Sequence, residues 1–268
     1  MTVEKLPSKP PVGELVLSVQ FTPLSKMYSG HFGMFWQEVL PEWKCEQDAD
    51  SVQDQFEDLD GPMKFMQQIS FGPSQHPGRL VLASSSGDRL CQVQRSRYVH
   101  NWRQVGTEYP VYSVFLGNFL NGLRKFHNFI EKHGLGPLTT NQWELVYVDV
   151  FPEGEDWKEL EEWKNVLPGL FASLEVADGL RLCNRNAAWS FELPEGKGRM
   201  HVSANLGIIS PPKSPDNPMR ALMVNTTVRG PIHGWDLDEL QHKMDFARKI
   251  ATGSFKKFVS KSILERCK

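Results

Sequence analysis

Glu14–Leu24 reads ELVLSVQFTPL, and Trp143–Pro152 reads WELVYVDVFP. In the first, Leu15, Leu17, Val19 and Phe21 recur at every second position, the period of a strand with one buried face. Both runs pass through Glu-Leu-Val, as Glu14-Leu15-Val16 and Glu144-Leu145-Val146, and both end on a phenylalanine close to a proline. Each opens a similar succession of strand, helix, further strands and long helix. The first succession occupies Glu14–His133 and the second Trp143–Phe258. A repeated order of elements is an architectural signal. It predicts one domain over 1–268 made of two similar halves, about 12–138 and 139–260.

The elements follow outward from these strands. Phe32, Phe35, Trp36, Val39, Leu40 and Trp43 have helical spacing, and Pro41 ends or kinks that helix. Arg79–Ser84 and Leu90–Arg103 read as a hairpin around Ser85-Ser86-Gly87-Asp88, and Lys64–Phe71 as a further strand. Tyr112, Phe115, Leu116, Phe119, Leu120, Leu123, Phe126 and Ile130 form one apolar stripe, so Leu116, Phe119, Leu120 and Leu123 are expected in the core. In the second half, Trp157, Leu160, Trp163 and Leu167 predict a helix. Leu180–Leu193, Arg199–Ile209 and Arg220–Arg229 predict strands, and Asp236 opens the last helix. A half of this kind leaves one sheet edge unpaired, and two halves joined edge to edge remove it. The predicted fold is α+β: a mainly antiparallel curved sheet with helices packed on one face, of helix-grip or saddle-like plan, and the other face open.

The 268 residues are 40% hydrophobic and 23% charged, which is globular composition. A net charge of -2 creates no field that would gather nucleic acid or an anionic membrane, so nucleic acid is not an expected partner. Cys45, Cys91, Cys183 and Cys267 are scattered, which fits neither a disulfide framework nor a zinc site and suggests free thiols. Met1–Pro11 lacks the basic start and apolar run of a signal peptide, and no apolar stretch approaches ~20 residues, so no transmembrane segment is expected and the cytoplasm is the expected location. HExxH, GxxxxGK[ST], GxGxxG and GxSxG are all missing. No catalytic residue, cofactor or metal is therefore assigned, and a binding protein is a better reading than an enzyme. Glu46, Asp48, Asp50, Asp54, Glu57, Asp58 and Asp60 come with no Lys or Arg among them, and this predicts an exposed, mobile, metal-free loop over 46–60.

Gln92–Arg103, QVQRSRYVHNWR, stands apart because neither of its faces is apolar. Read as one strand, it puts Arg95, Arg97 and Arg103 on one side with Asn101, and His100 on the other. Three guanidiniums on one face need counter-charge, solvent or a ligand. The planar fork of arginine suits carboxylate or phosphate. Arg95, Arg97, Asn101, Arg103 and His100 are accordingly the candidate binding residues, for an anionic ligand or an acidic protein partner.

In Pro10-Pro11 leading into Glu14–Phe21, in Gln92–Arg103 followed by Tyr109-Pro110, and in Gln142–Phe151, the chain resembles a sporadically distributed bacterial family of uncharacterised proteins. The resemblance covers nearly the whole chain and brings no assigned activity. It implies a horizontally moved gene, such as those of phage defence. The leading expectation is a non-enzymatic binding or sensor protein in a bacterial multi-protein or antiviral system. The alternatives are a helix-grip protein with a small-molecule or lipid pocket beneath Tyr112–Ile130, and an enzyme with an unrecognised site.

Overall fold

The computed structural model describes residues 10–57, 59, 78–210 and 216–267. In chain order the elements are β1 (Val12–Phe21), α1 (Ser29–Val39), β2 (Lys44–Ala49), β3 (Arg79–Ala83), β4 (Arg89–Gln94), β5 (Arg97–Arg103) and α2 (Tyr112–Lys132). Then follow β6 (Thr140–Pro152), α3 (Trp163–Val166), β7 (Asn186–Glu192), β8 (Arg199–Ile209), β9 (Met219–Gly234), α4 (Leu237–Phe258) and α5 (Lys261–Arg266). The nine strands make one open antiparallel sheet in the order β2-β3-β4-β5-β1-β6-β9-β8-β7. The protein is thus α+β. β1 and β6, the two strands quoted at the outset, pair with each other at its middle, with Val16 opposite Val146.

Alternation sorts each strand's side chains. Leu15, Leu17, Val19 and Phe21 of β1, Trp143, Leu145 and Phe151 of β6, and Leu222, Val224 and Val228 of β9 are buried in the layer the helices cover. The expected helical stripe is buried as well, Leu116, Phe119, Leu120 and Leu123 included. Rings fill the space between α2 and the sheet. Tyr98 lies with its centroid 6.0 Å from Phe119 and 5.6 Å from Phe126, and Phe126 is 5.8 Å from Phe21. The Tyr112 hydroxyl donates to the Met244 carbonyl at 2.8 Å and ties α2 to α4. Asp236 caps α4 by accepting from the Asp238 and Glu239 amides. No helix among the described residues is long and apolar enough to cross a membrane.

Of the two glycines of α2, Gly122 faces the sheet closely, and a methyl group there would overlap the Tyr98 hydroxyl. Alanine favours a helix over glycine by about 1 kcal/mol, whereas overpacking a core costs ~1–3 kcal/mol. Gly122→Ala is therefore expected to destabilise by about 1 kcal/mol. Gly117→Ala, with nothing within 4 Å of the added carbon, is expected to stabilise by roughly 0.5–1 kcal/mol. Urea unfolding of the two variants checks the opposite signs, and a gain in both would mean that Tyr98 yields.

Four local expectations need correction. The strand predicted from Gln92 to Arg103 is two strands, β4 and β5, joined by the two-residue turn Arg95-Ser96. That turn is held from outside, since its carbonyls accept from the Phe21 and Leu24 amides at 2.9 Å. The helix predicted from Trp157 to Leu167 shrinks to a 3-10 turn, Leu160–Glu162, and the single turn α3. Trp157 folds back instead, its indole donating to the Phe151 carbonyl at 2.8 Å. The strand predicted from Leu180 starts only at Asn186. β2 is an additional strand inside the acidic stretch. Lys64–Phe71 lies outside the described residues.

Candidate functional site

The sheet face turned away from the helices carries the polar half of each alternation. Register lines up Gln94, Arg97, Gln20 and Gln142 in one row across β4, β5, β1 and β6. The next row runs Gln92, Val99, Ser18, Glu144, Arg229 and Arg199 from β4 to β8. Five charged side chains interlock here. Glu144 holds Arg97 through Oε1 and Nη1 at 3.2 Å, and Arg229 through Oε2 and Nη1 at 3.4 Å. Glu57 holds Arg199 Nη1 through Oε2 at 3.2 Å, and its Oε1 accepts from Arg229 Nε and lies 2.7 Å from His201 Nε2. The side chains of Arg97, Arg199 and Glu57 are only 5%, 6% and 4% exposed.

Burial alone would raise the Glu57 carboxyl. The hydrogen bonds from His201 and Arg229, and then their charges, outweigh it and lower the group to about 2. An ionised carboxylate only accepts, so His201 Nε2 carries a hydrogen, while Nδ1 sits 2.9 Å from the Ser190 hydroxyl. Among the described residues, three guanidiniums meet two carboxylates in this cluster. Arg79 adds to the positive field: burial and then the Arg97 charge depress its guanidinium.

Glu57 is delivered by an extended segment, 51–57, that crosses the face at the Gln94–Gln142 row. The Gln94 amide donates to the Val52 carbonyl at 2.8 Å and accepts from the Val52 N–H at 2.9 Å. The Gln20 amide does the same to Gln55, at 3.0 and 2.8 Å. Gln142 Oε1 accepts from the Glu57 N–H at 3.3 Å, Arg97 Nη2 reaches the Gln53 carbonyl at 3.5 Å, and the Ser96 hydroxyl donates to Asp54 Oδ1 at 2.6 Å. The expectation of an exposed, mobile acidic loop over 46–60 is thereby corrected. Glu46 lies in β2 and takes Arg103 in a two-point pair at 2.6 and 2.8 Å, and Asp54 and Glu57 are bound to the sheet. Asp58 and Asp60 lie outside the described residues. The basic partners stand tens to more than a hundred positions away in the chain, so composition within 46–60 could not reveal them.

The five predicted site residues are dispersed. Arg97, Asn101 and Arg103 share the polar face, Arg95 sits in the β4–β5 turn with Nε donating to the Leu24 carbonyl at 3.1 Å, and His100 points into the core. Asn101 bridges Gln92 and Glu14, donating to Glu14 at 2.6 Å and accepting at 2.8 Å. Burial and then the Arg89 charge lower His100 to about 3, so it is a neutral ring against Phe115. Only Arg97 joins the charged cluster. Arg199, His201, Arg229, Glu57 and Glu144 were not singled out. Their signal is a polar residue at every second position of β8 (Arg199, His201, Ser203) and β9 (Asn225, Thr227, Arg229), which needs the pairing of β9 with β8 on one side and β6 on the other to become a site.

Chemically, two guanidiniums and an imidazole N–H converge on the oxygen pair of Glu57, donors of the kind that suit a carboxylate or phosphate. Among the described residues no three His, Cys, Asp or Glu side chains come together as a metal site. An open groove of about 300 Å³ lies on the outside of α1 and α2, lined by Glu38, Val39, Lys125, Asn128, Phe129 and Lys132. No protein-family model matches the chain, and no curated protein matches its sequence.

Proposed function

We propose that the protein is a non-enzymatic binding protein whose recognition surface is the polar sheet face, and that the ligand presents an anionic group to Arg199, His201 and Arg229. The observation that carries this reading is the seat of Glu57, a carboxylate held by three basic groups from two neighbouring strands. The aromatic filling of the layer between α2 and the sheet favours this surface over an interior pocket. The resemblance of Gln92–Arg103 and Gln142–Phe151 to the sporadic bacterial family suggests the setting, a cytoplasmic multi-protein system of the phage-defence kind.

The same reading takes the chain as a duplicated unit of helix-grip or saddle-like plan. In each half the opening strand is central, the strand before the long helix pairs beside it, and earlier strands lie further out. With Glu14-Leu15-Val16 matched to Glu144-Leu145-Val146, the pairs Glu14–Arg103 and Glu144–Arg229 occupy equivalent places. Duplication thus accounts for an arginine on each side of the central seam.

Removing the internal carboxylate tests the anion site. Glu57→Ala is expected to gain a Tm rise of about 2–4 °C at a phosphate concentration ten times the dissociation constant, at matched ionic strength. The parent chain should show no such rise, and Arg199→Ala in the Glu57→Ala background should abolish it. An equal response of all three proteins to phosphate and to chloride would sink the proposal.

A further inference from the structure

Resting on that anion site, we infer that the face binds an extended peptide from a partner protein, with two acidic residues three positions apart, and that residues 51–57 occupy the seat as an internal counterpart. The row that holds this segment reads main chain, not side chain. Gln94 and Gln20 each present a complete amide, donor and acceptor, to the N–H and C=O of one residue, Val52 and Gln55 respectively. Gln142 and Arg97 add single bonds to Glu57 N and Gln53 O. All four residues are buried. Most buried polar groups are hydrogen-bonded, and the Gln94 and Gln20 amides find both of their partners on the main chain of 51–57, so a row built in this way suits a polypeptide lying over it.

The dimensions agree. From β4 to β6 there are three strand spacings, roughly 14 Å, and the five-residue step from Val52 to Glu57 spans at most roughly 17 Å when extended. The segment therefore lies nearly straight across the strands. Beyond Gln142 the Glu57 side chain reaches the Arg199, His201 and Arg229 seat on β8 and β9.

Selectivity comes from two carboxylates. Asp54 meets the Ser96 hydroxyl and Glu57 the basic triad, whereas Val52 and Phe56 are 37% and 67% exposed and are not read. The chemistry sought in a partner is an extended acidic segment with Asp and Glu at positions i and i+3, tolerant of what lies between. Among the described residues of the cluster guanidiniums outnumber carboxylates, which favours an acidic partner segment.

The test uses the full chain and a fluorescein-labelled peptide, acetyl-SVQDQFE-amide. By polarisation, the peptide is expected to bind Glu57→Gln at least tenfold more tightly than the parent. Exchanging its Asp and Glu for Asn and Gln should weaken binding at least tenfold, and so should Gln94→Ala in the Glu57→Gln protein. In the parent chain, which needs no altered fold, saturating peptide should speed hydrogen exchange at the Val52, Gln55 and Glu57 amides. Phosphate binding to Glu57→Ala without peptide binding to Glu57→Gln overturns the peptide inference and leaves the anion site standing. Binding of neither removes both. A concentration-dependent dimer of Glu57→Gln, seen by light scattering and dispersed by the peptide, would overturn the assignment to a partner protein, because a second copy then supplies the segment. Unchanged exchange in the parent at saturating peptide also overturns it.

Discussion

Glu144→Ala is expected to lower the unfolding free energy by roughly 3–5 kcal/mol, the cost of removing one member of a buried ion pair. Glu144 is the hinge of the charged cluster: Oε1 faces Arg97 and Oε2 faces Arg229. Arg229 keeps Glu57 when Glu144 is gone, but Arg97 is left with the Gln20 and Gln53 oxygens and no carboxylate. Its side chain is 5% exposed, so water cannot replace the lost charge. The cost belongs to the stranded guanidinium and not to the pair as such. Arg97→Met in the Glu144→Ala protein should therefore recover most of the loss, since a packed apolar side chain often equals a buried ion pair. Urea unfolding with an unchanged m-value measures both steps. A loss below about 1 kcal/mol for Glu144→Ala would class the pair with exposed salt bridges and remove the argument.

Asp149→Asn is expected to stabilise the protein by roughly 4 kcal/mol at pH 8 and to change little at pH 3.5. Asp149 lies on the helix-covered side of β6, and burial raises its carboxyl from 3.8 to about 7. Below pH 3.8 it is protonated in both folded and unfolded chains, and its full contribution to stability is present. Between pH 3.8 and 7 the unfolded chain ionises while the folded one resists, so stability falls by about 1.4 kcal/mol per unit. Above pH 7 both are ionised and the loss is complete. Asparagine removes that slope. The Asp149 charge is also felt nearby, where burial and then this carboxylate raise the Cys267 thiol. Thermal unfolding of parent and variant between pH 3.5 and 8 makes the comparison, and parallel curves would mean that Asp149 is paired or hydrated.

The central features were legible where a period is strong and long. β1, β6, β9, α2 and α4 announce themselves because one face of each must be apolar over ten residues or more, and the helix stop before Pro41 follows from proline geometry. The β4–β5 break was not, because Arg95-Ser96 carries none of the Gly or Asn that marks a two-residue hairpin, and its carbonyls are held by Phe21 at the end of β1 and Leu24 just beyond it. β2, KCEQDA, lacks β-branched and aromatic residues and forms only because β3 offers it an edge. At the candidate site, the excess of arginine in Gln92–Arg103 pointed to the polar sheet face through Arg97. The triad of Arg199, His201 and Arg229 needs a registry between β8 and β9 that no local pattern encodes.

The seam between β1 and β6 also has a consequence during synthesis. β1 pairs with β5 on one side and β6 on the other, and 49 residues separate the end of β5 from the end of β6. At 5–20 residues per second, a nascent chain whose first half has formed waits roughly 2–10 s with the outer edge of β1 unpaired. That edge is Gly13 to Phe21, a template of free N–H and C=O groups at what will become the middle of the sheet. On a polysome, two neighbouring first halves present the same edge to one another. Their mutual pairing competes with the arrival of β6, and slow translation between Arg103 and Pro152 would shift the outcome toward joined chains.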